Sequence, residues 1–134
     1  NYAEGVKVKA AEAIAENDVV HVTSYSGPFL VVSKASAAVA TSCEGRLMFA
    51  KHAIPSGGYG VVLPWKLVTG LDTSAASSAG VPIYLKSSVA GGWTVTAPSG
   101  GTKVARIIGH VVVDDTASAA LPGAILLACD VGER

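Results

Sequence analysis

Charged side chains are scarce in this chain, and the shortage excludes one class of function. They make up 15% of its 134 residues, against about 25% in an average soluble domain. The 10 basic and 10 acidic side chains cancel and form no run of either sign. Nucleic-acid binding needs a positive face that displaces counterions. The sequence therefore predicts no nucleic-acid partner.

Cysteines and long apolar runs are also scarce. Cys43 and Cys129 lie far apart and follow no metal-binding spacing. We interpret both as buried thiols of a protein made in a reducing compartment, with one bridge between them as the alternative. A membrane span needs roughly 18–20 apolar residues, and Pro122-Gly123 interrupts the longest candidate, residues 121–129. The sequence predicts no membrane association.

Apolar side chains, by contrast, are abundant: 50% of the residues are hydrophobic. A chain of this length forms one domain and buries roughly two-thirds of its unfolded surface. A small monomer has too little interior to hide so much apolar surface. We therefore expect a homo-oligomer, in which neighbouring subunits cover the excess.

Two stretches of the chain, residues 18–66 and 80–128, run through the same order of features. Each has an apolar strand, a turn, an aromatic-led strand, an Arg-led strand and a glycine-led strand. Val20 and Ile83 are 63 positions apart, as are Gly60 and Gly123. We interpret this pattern as an internal pseudo-repeat. Two similar strand sets favour one closed or sandwiched β-body over a scaffold around a single cleft.

Short segments rich in Val, Ile and Thr, separated by Gly, Pro and Ser, predict strands throughout. Residues 10–17 are helix-capable, and residues 35–41 and 73–79 allow at most one or two helical turns. The sequence thus predicts an all-β fold. We expect a compact barrel or sandwich-like domain over residues 10–134, with one or two short helices.

Residues 1–9 are predicted to form an extended N-terminal arm. Alternation along a strand places Val6 and Val8 on one face and Lys7 and Lys9 on the other. An unpaired strand with an apolar face invites a partner strand added edge to edge. Deleting the arm is then expected to leave the β-domain folded. The predicted interface comprises arm residues and a rim at Pro64-Trp65, with Trp65 as a core residue the alternative: Tyr2, Val6, Lys7, Val8, Lys9, Pro64 and Trp65.

One segment, Leu71-Asp72-Thr73-Ser74, resembles the active-site motif of retroviral-type aspartic proteases. Those enzymes pair two such aspartates across a dimer, so that the carboxylates share a proton and activate water. The position of the aspartate late in the chain departs from that family. So does the glycine-rich segment 57–60, which precedes the aspartate instead of following it. The alternative interpretation is that Asp72 caps a turn through the neighbouring amides.

No other constellation predicts a cofactor or metal site. The three histidines, His21, His52 and His110, are scattered singly and lack the spacing of ligand pairs. The glycine pairs at 57–58, 91–92 and 100–101 do not precede helices, so they predict turns rather than phosphate-binding loops.

Four segments of the chain resemble the small capsid decoration, or cement, proteins of tailed bacteriophages. They are Ala79-Gly80-Val-Pro-Ile-Tyr-Leu85, Gly91-Gly-Trp-Thr-Val-Thr96, Ile108-Gly-His-Val111 and Gly123-Ala-Ile-Leu-Leu127. Residues 13–15, before the strand at 18–22, are similar to the family's opening. The resemblance covers most of residues 10–128, through short motifs.

This resemblance implies a β-tulip or barrel fold without enzymatic activity. It also implies trimers at local threefold positions on the outer surface of the virion's capsid, bound to the major capsid protein after synthesis in the host cytoplasm. Another virion component, such as a head-fibre or tail subunit, is an alternative. The aspartic protease is a second one.

Overall fold

The structure is a computed structural model, and it describes residues 5–71, 80–113 and 123–128. These residues form ten β-strands, which confirms the all-β prediction. In chain order, the strands are β1 (Val6–Ala10), β2 (Val19–Ser26), β3 (Phe29–Lys34), β4 (Leu47–Ala50), β5 (Tyr59–Leu63), β6 (Trp65–Leu71), β7 (Pro82–Leu85), β8 (Trp93–Thr94), β9 (Ile107–Val113) and β10 (Gly123–Ala128).

The first five strands close into a barrel in the order β1-β3-β2-β4-β5. Closure depends on β1, which pairs in parallel with β3 and antiparallel with β5. Alternate side chains point into the barrel. They form an apolar core in which all side chains but Met48 are small or branched: Val8, Ala10, Ile14, Val20, Val32, Met48, Ala50, Ile54 and Val62.

The structure changes the interpretation of the N-terminal arm. Residues 6–9 are extended, as predicted, but they belong to β1, and both edges of β1 are paired within the chain. Val8 is fully buried inside the barrel. The apolar face of this segment is therefore covered by its own chain and needs no strand from a partner.

The second sheet repeats the strand order of the barrel. Its strands lie side by side in the order β6-β10-β9-β7-β8. Replacing each strand by the one five places earlier in the chain gives β1-β5-β4-β2-β3, which is the order of the closed barrel followed in the opposite direction. The registers agree as well: Val62 lies between Val6 and Ala50, and Ile125 lies between Val68 and Val111. The two sheets differ in closure. Among the residues that the structure describes, β6 and β8 do not pair as β1 and β3 do.

The second sheet packs against the outer side of β2 and β4. Val19, Leu47 and Phe49 point outward from the barrel and are fully buried against the inner face of this sheet. That inner face contributes side chains from four strands: Val68, Ile83, Leu85, Ile108, Val111, Ile125 and Leu127. The barrel and the second sheet, which are the two halves of the molecule, thus share one apolar core. The barrel interior forms a second core.

Backbone hydrogen bonds join the two halves through the segment that follows β3. The amide of Gly91 donates to the carbonyl of Ala35 at 2.7 Å, and the amide of Val19 donates to the carbonyl of Gly91 at 3.0 Å. Gly91 has a φ of +82°, which favours glycine. The guanidinium of Arg106 donates to the carbonyls of Cys43 and Gly45.

Helical structure is minor in the described residues, as predicted, and it overlaps the end of the expected segment 35–41. A 3-10 helix spans Ala40–Cys43, and residues 73–79 lie outside the described residues. Residues 10–17 are not helical, because Ile14 pairs with Ile54 in an isolated β-bridge. Tertiary pairing overrides the weak helix propensity of this segment.

Candidate functional site

The structure separates the residues predicted to form an interface. Tyr2 lies outside the described residues. Val8 and Pro64 are buried, so neither contributes to an exposed surface. Lys7 and Trp65 are exposed, and Val6 and Lys9 are partly buried. The lysines and Trp65 lie on different sheets, so they belong to two surfaces rather than one.

The first surface lies on the outside of the barrel, across β3, β1 and β5. Because Val8 and Ala10 point inward, Lys7 and Lys9 point outward. The register places Lys9 between Val31 and Tyr59, and it places Lys7 beside Val61. We call this the barrel surface, and its members are Lys7, Lys9, Phe29, Val31, Tyr59 and Val61.

An aromatic pair crosses the barrel surface. The ring centroids of Phe29 and Tyr59 lie 4.9 Å apart in an edge-to-face arrangement. The ammonium of Lys7 lies 5.8 Å from the Phe29 ring centroid, a distance at which a cation is attracted to the ring face. Tyr59 is 50% exposed. Rings and lysine thus support one another while remaining accessible from solvent.

The charge of the barrel surface is positive. Strands β1, β3 and β5 contain three lysines and no acidic residue. Lys34 lies at the end of β3, where the Glu12 carboxylate accepts a hydrogen bond from its backbone amide at 3.0 Å. Lys7 and Lys9 form no ion pair within the described residues. This surface therefore carries two available positive charges in a chain with no net charge.

The second surface lies on the outer face of the other sheet. Leu67, Leu126, His110 and Pro82 form a row across four strands. Four large apolar side chains stand out from this face: Trp65 is 55% exposed, Leu67 51%, Ile107 47% and Val112 41%. We call this the sheet surface, and its members are Trp65, Leu67, Ile107, His110, Val112 and Leu126.

The sheet surface carries no Asp, Glu, Lys or Arg. The one lysine of β6, Lys66, points to the opposite side. Its ammonium donates to the carbonyls of Ala50 and Lys51 at 3.3 Å each and pairs with the Glu16 carboxylate at 3.5 Å. The inner face of this sheet packs on the barrel. The sheet surface and the barrel surface therefore face opposite sides of the molecule.

Asp18 lies at the junction of the two halves. Burial raises the pKa of its carboxyl, and the hydrogen bond from the Ala15 amide and the charge of Lys34 oppose that rise. The Ala15 amide donates to Asp18 Oδ2 at 2.8 Å. The turn at Gly91 lies against this side chain, since a Cβ atom built on Gly91 would lie 2.9 Å from Asp18 Cγ.

Two of the three histidines, His21 and His52, are held by backbone groups. His21 is buried, and its Nδ1 lies 3.3 Å from the Glu44 carbonyl. His52 has Nδ1 on the Ala53 carbonyl at 2.9 Å and accepts a hydrogen bond from the Val61 amide at Nε2, at 3.3 Å. Within residues 5–71, 80–113 and 123–128, no three His, Cys, Asp or Glu side chains come together as a metal would require.

Cys43 is buried, and its thiol is free. Burial raises the pKa of this thiol, and the nearby Arg106 guanidinium opposes that rise. Cys129, the other half of the alternative bridge, lies outside the described residues.

The protease-like motif falls at a boundary of the described chain. Asp72, Thr73 and Ser74 lie outside it, so the catalytic alternative stays a prediction. Gly109, in the segment Ile108-Gly-His-Val111, has a structural role: a Cβ atom there would lie 2.0 Å from the Leu126 carbonyl oxygen. The close approach of β9 to β10 therefore explains why a glycine follows the isoleucine here.

Sequence reasoning missed most of both surfaces. It selected Lys7, Lys9 and Trp65, but it left out Phe29 and Tyr59, which come together only when β1 lies between β3 and β5. The alternation of Trp65, Leu67 and Thr69 with Lys66 and Val68 was an available signal for the sheet surface. The two largest apolar side chains of this strand, Trp65 and Leu67, are exposed, whereas Lys66 is partly buried, so hydrophobicity alone assigns the faces wrongly.

Comparison of the chain with protein-family models, curated proteins and solved structures finds no match. The part of the chain that the structure describes contains no helix with the length and apolarity needed to cross a membrane.

Proposed function

We propose that this protein is a structural component of a bacteriophage virion that binds the outer surface of the capsid and stabilises the head. In this proposal it is not an enzyme and takes no cofactor. It is made in the host cytoplasm, and its partners are the major capsid protein and further copies of itself, in trimers at local threefold positions. It binds neither nucleic acid nor membrane.

The observation that carries the proposal is the pair of exposed surfaces on opposite sides of a β-body. A cement protein must adhere to its neighbours over broad surfaces, and many weak contacts supply that adhesion. The sheet surface is mostly apolar and carries no Asp, Glu, Lys or Arg, which suits contact between identical subunits. The barrel surface combines aromatic rings with positive charge, which suits a different partner.

The resemblance of the four segments to decoration proteins supports the same assignment. All four contribute strands to the second sheet: β7, β8, β9 and β10. The segment that contains β8 also holds the turn at Gly91 that joins the halves. The resemblance therefore follows the strands and turns that build the second half.

The test is attachment to heads prepared without this protein. Purified protein is mixed with such heads, which are sedimented and then examined by electron microscopy. We expect co-sedimentation, added density at local threefold positions and heads that resist heating better. Heads that stay bare at saturating protein concentration contradict the proposal. So does cleavage of unfolded protein substrates that pepstatin inhibits and Asp72→Asn abolishes, which favours the protease.

A further inference from the structure

We infer that the barrel surface is a docking site for an acidic, partly apolar patch of a partner protein. The inference rests on the proposed function and goes beyond it by assigning capsid contact to this surface and a charge to its partner. The sheet surface is thereby left for contact between copies.

Charge complementarity determines the kind of partner. Lys7 and Lys9 project from the middle strand of the surface, and β1, β3 and β5 contribute no acidic side chain. A second copy docking through this same surface would bring lysines against lysines, which is unfavourable. Carboxylates opposite Lys7 and Lys9 would complete two ion pairs. The partner is therefore acidic where it meets β1.

The rest of the barrel surface requires an apolar contact around those charges. Phe29 and Tyr59 form an edge-to-face pair, and aromatic residues are enriched in protein interfaces. Val31 and Val61 flank the lysines and are partly buried. A partner patch with aliphatic side chains around its carboxylates covers all six residues of the surface.

A protein fits this surface better than a nucleic acid. Single strands bind to positively charged grooves with aromatic platforms, and Phe29 and Tyr59 offer such a platform poorly because their ring planes are inclined at 63° to each other. Two lysines also neutralise few phosphates, and phosphate contacts dominate nucleic-acid affinity. The two branched aliphatic residues contact protein side chains more favourably than a phosphate backbone.

The experiment measures the affinity for heads prepared without this protein, by co-sedimentation. It compares wild type with Lys7→Glu/Lys9→Glu, Lys7→Gln/Lys9→Gln and Tyr59→Ser. The matched control is Lys86→Glu/Lys103→Glu, which changes two lysines outside the barrel, of which Lys103 is exposed and Lys86 is partly buried. Both reversal variants leave 8 basic and 12 acidic residues, hence a net charge of −4.

We expect charge reversal at Lys7 and Lys9 to weaken attachment at least tenfold, and the glutamine variant to weaken it less. The control should bind within about twofold of wild type. Raising the salt from about 50 to about 500 mM should weaken the wild type and leave the glutamine variant nearly unaffected, because salt screens exposed charges. Thermal melting of every variant verifies that the barrel is folded.

Three outcomes overturn the inference, and they are distinguishable. If wild type and Lys7→Glu/Lys9→Glu attach equally well, the surface assignment is wrong and the proposed function stands. If wild type does not attach at all, both fall. If a fluorescent single-stranded oligonucleotide binds to wild type and not to Lys7→Glu/Lys9→Glu, the surface is a nucleic-acid site instead.

Discussion

Ile14 and Ile54 exchange two backbone hydrogen bonds, each amide donating to the other residue's carbonyl at 2.8 Å. They occupy equivalent places in two turns 40 positions apart. The amide of Ala10 donates to the carbonyl of Gly58, and the amide of Ala50 donates to the carbonyl of Asp18. Asn17 and Gly57, also 40 positions apart, both have positive φ. The barrel thus contains a local two-fold relationship, with Ala13-Ile14 repeated as Ala53-Ile54.

The first prediction concerns this bridge. Ile54 is 1% exposed within the barrel core. Ile54→Ala should lower the free energy of unfolding by about 2–5 kcal/mol, since it leaves a cavity, and Ile54→Val by about 0.5–1.5 kcal/mol. Urea denaturation measures both. Val89→Ala, at an exposed position, is the control and should change stability by less than about 0.5 kcal/mol. Equal effects of Ile54→Ala and Val89→Ala would contradict this packing.

Deleting residues 1–9 should unfold the barrel. The deletion removes all but the last residue of β1, leaves β3 and β5 without their shared neighbour and empties the space filled by Val8. Circular dichroism and thermal melting are the measurements, with deletion of residues 1–4 as the control. A truncated protein that melts like wild type would restore the interpretation of a detachable arm.

Two glycines should respond to alanine for different reasons. At Gly109 the added Cβ atom meets backbone, the Leu126 carbonyl oxygen at 2.0 Å, so β9 and β10 must separate. At Gly100 nothing lies within 4 Å, but φ is +89°, so only backbone strain of about 1–2 kcal/mol arises. Gly109→Ala should therefore cost more than Gly100→Ala in denaturant titrations. The reverse order would contradict the close approach of the strands.

Asp18→Asn should change how stability depends on pH. The folded protein raises the pKa of this carboxyl above 3.8, chiefly through burial. Folding thus disfavours the charged carboxylate. The free-energy cost of burying this charge lowers stability at neutral pH and disappears as pH falls through the raised pKa. The Asn variant should match or exceed wild type at pH 7 and lose that advantage in acid. Asp18→Ala, which cannot accept the Ala15 hydrogen bond, separates charge from hydrogen bonding.

Stability curves from pH 3 to 7 test this sign. If the Asn variant is less stable than wild type at pH 7 and the difference in stability shrinks in acid, the charged carboxylate is stabilising instead.

Charge on the sheet surface should prevent self-association. Trp65→Glu/Leu67→Glu places two carboxylates on an apolar, exposed face, where a second copy would have to desolvate them. Light scattering after gel filtration should show an oligomer for wild type and a monomer for the variant. Val89→Glu, which is exposed elsewhere, should behave as wild type. Unchanged mass in the double variant would place the contact on another surface.

Much of the fold follows from the sequence, because strand patterning is local. The alternation in β1, the glycines near the starts of β5 and β10 and the 63-residue offset are all readable along the chain. The position of β1 is not, since an alternating strand has the same pattern whether its edges are free or paired. The bridge between Ile14 and Ile54 is equally hidden, because the segment before it reads as a weak helix.

The candidate site was less predictable than the fold. Lys7 and Lys9 stand out in the sequence, but the ring that lies against Lys7 comes from β3, 22 positions later in the chain. Trp65 was identified by its neighbours, whereas Ile107 joins it only through the order of β6, β10 and β9. A surface built from several strands becomes visible only after the strands are ordered.

The contiguity of the barrel has a consequence for synthesis on the ribosome. All five barrel strands lie within residues 6–63, whereas the second sheet needs β10, which ends at residue 128. The intervening 128 − 63 = 65 residues take about 3–13 s to translate at ordinary rates. During that interval a nascent barrel can close, with Val19, Leu47 and Phe49 still uncovered on its outer side. The newborn chain is therefore most vulnerable to aggregation before its second half arrives.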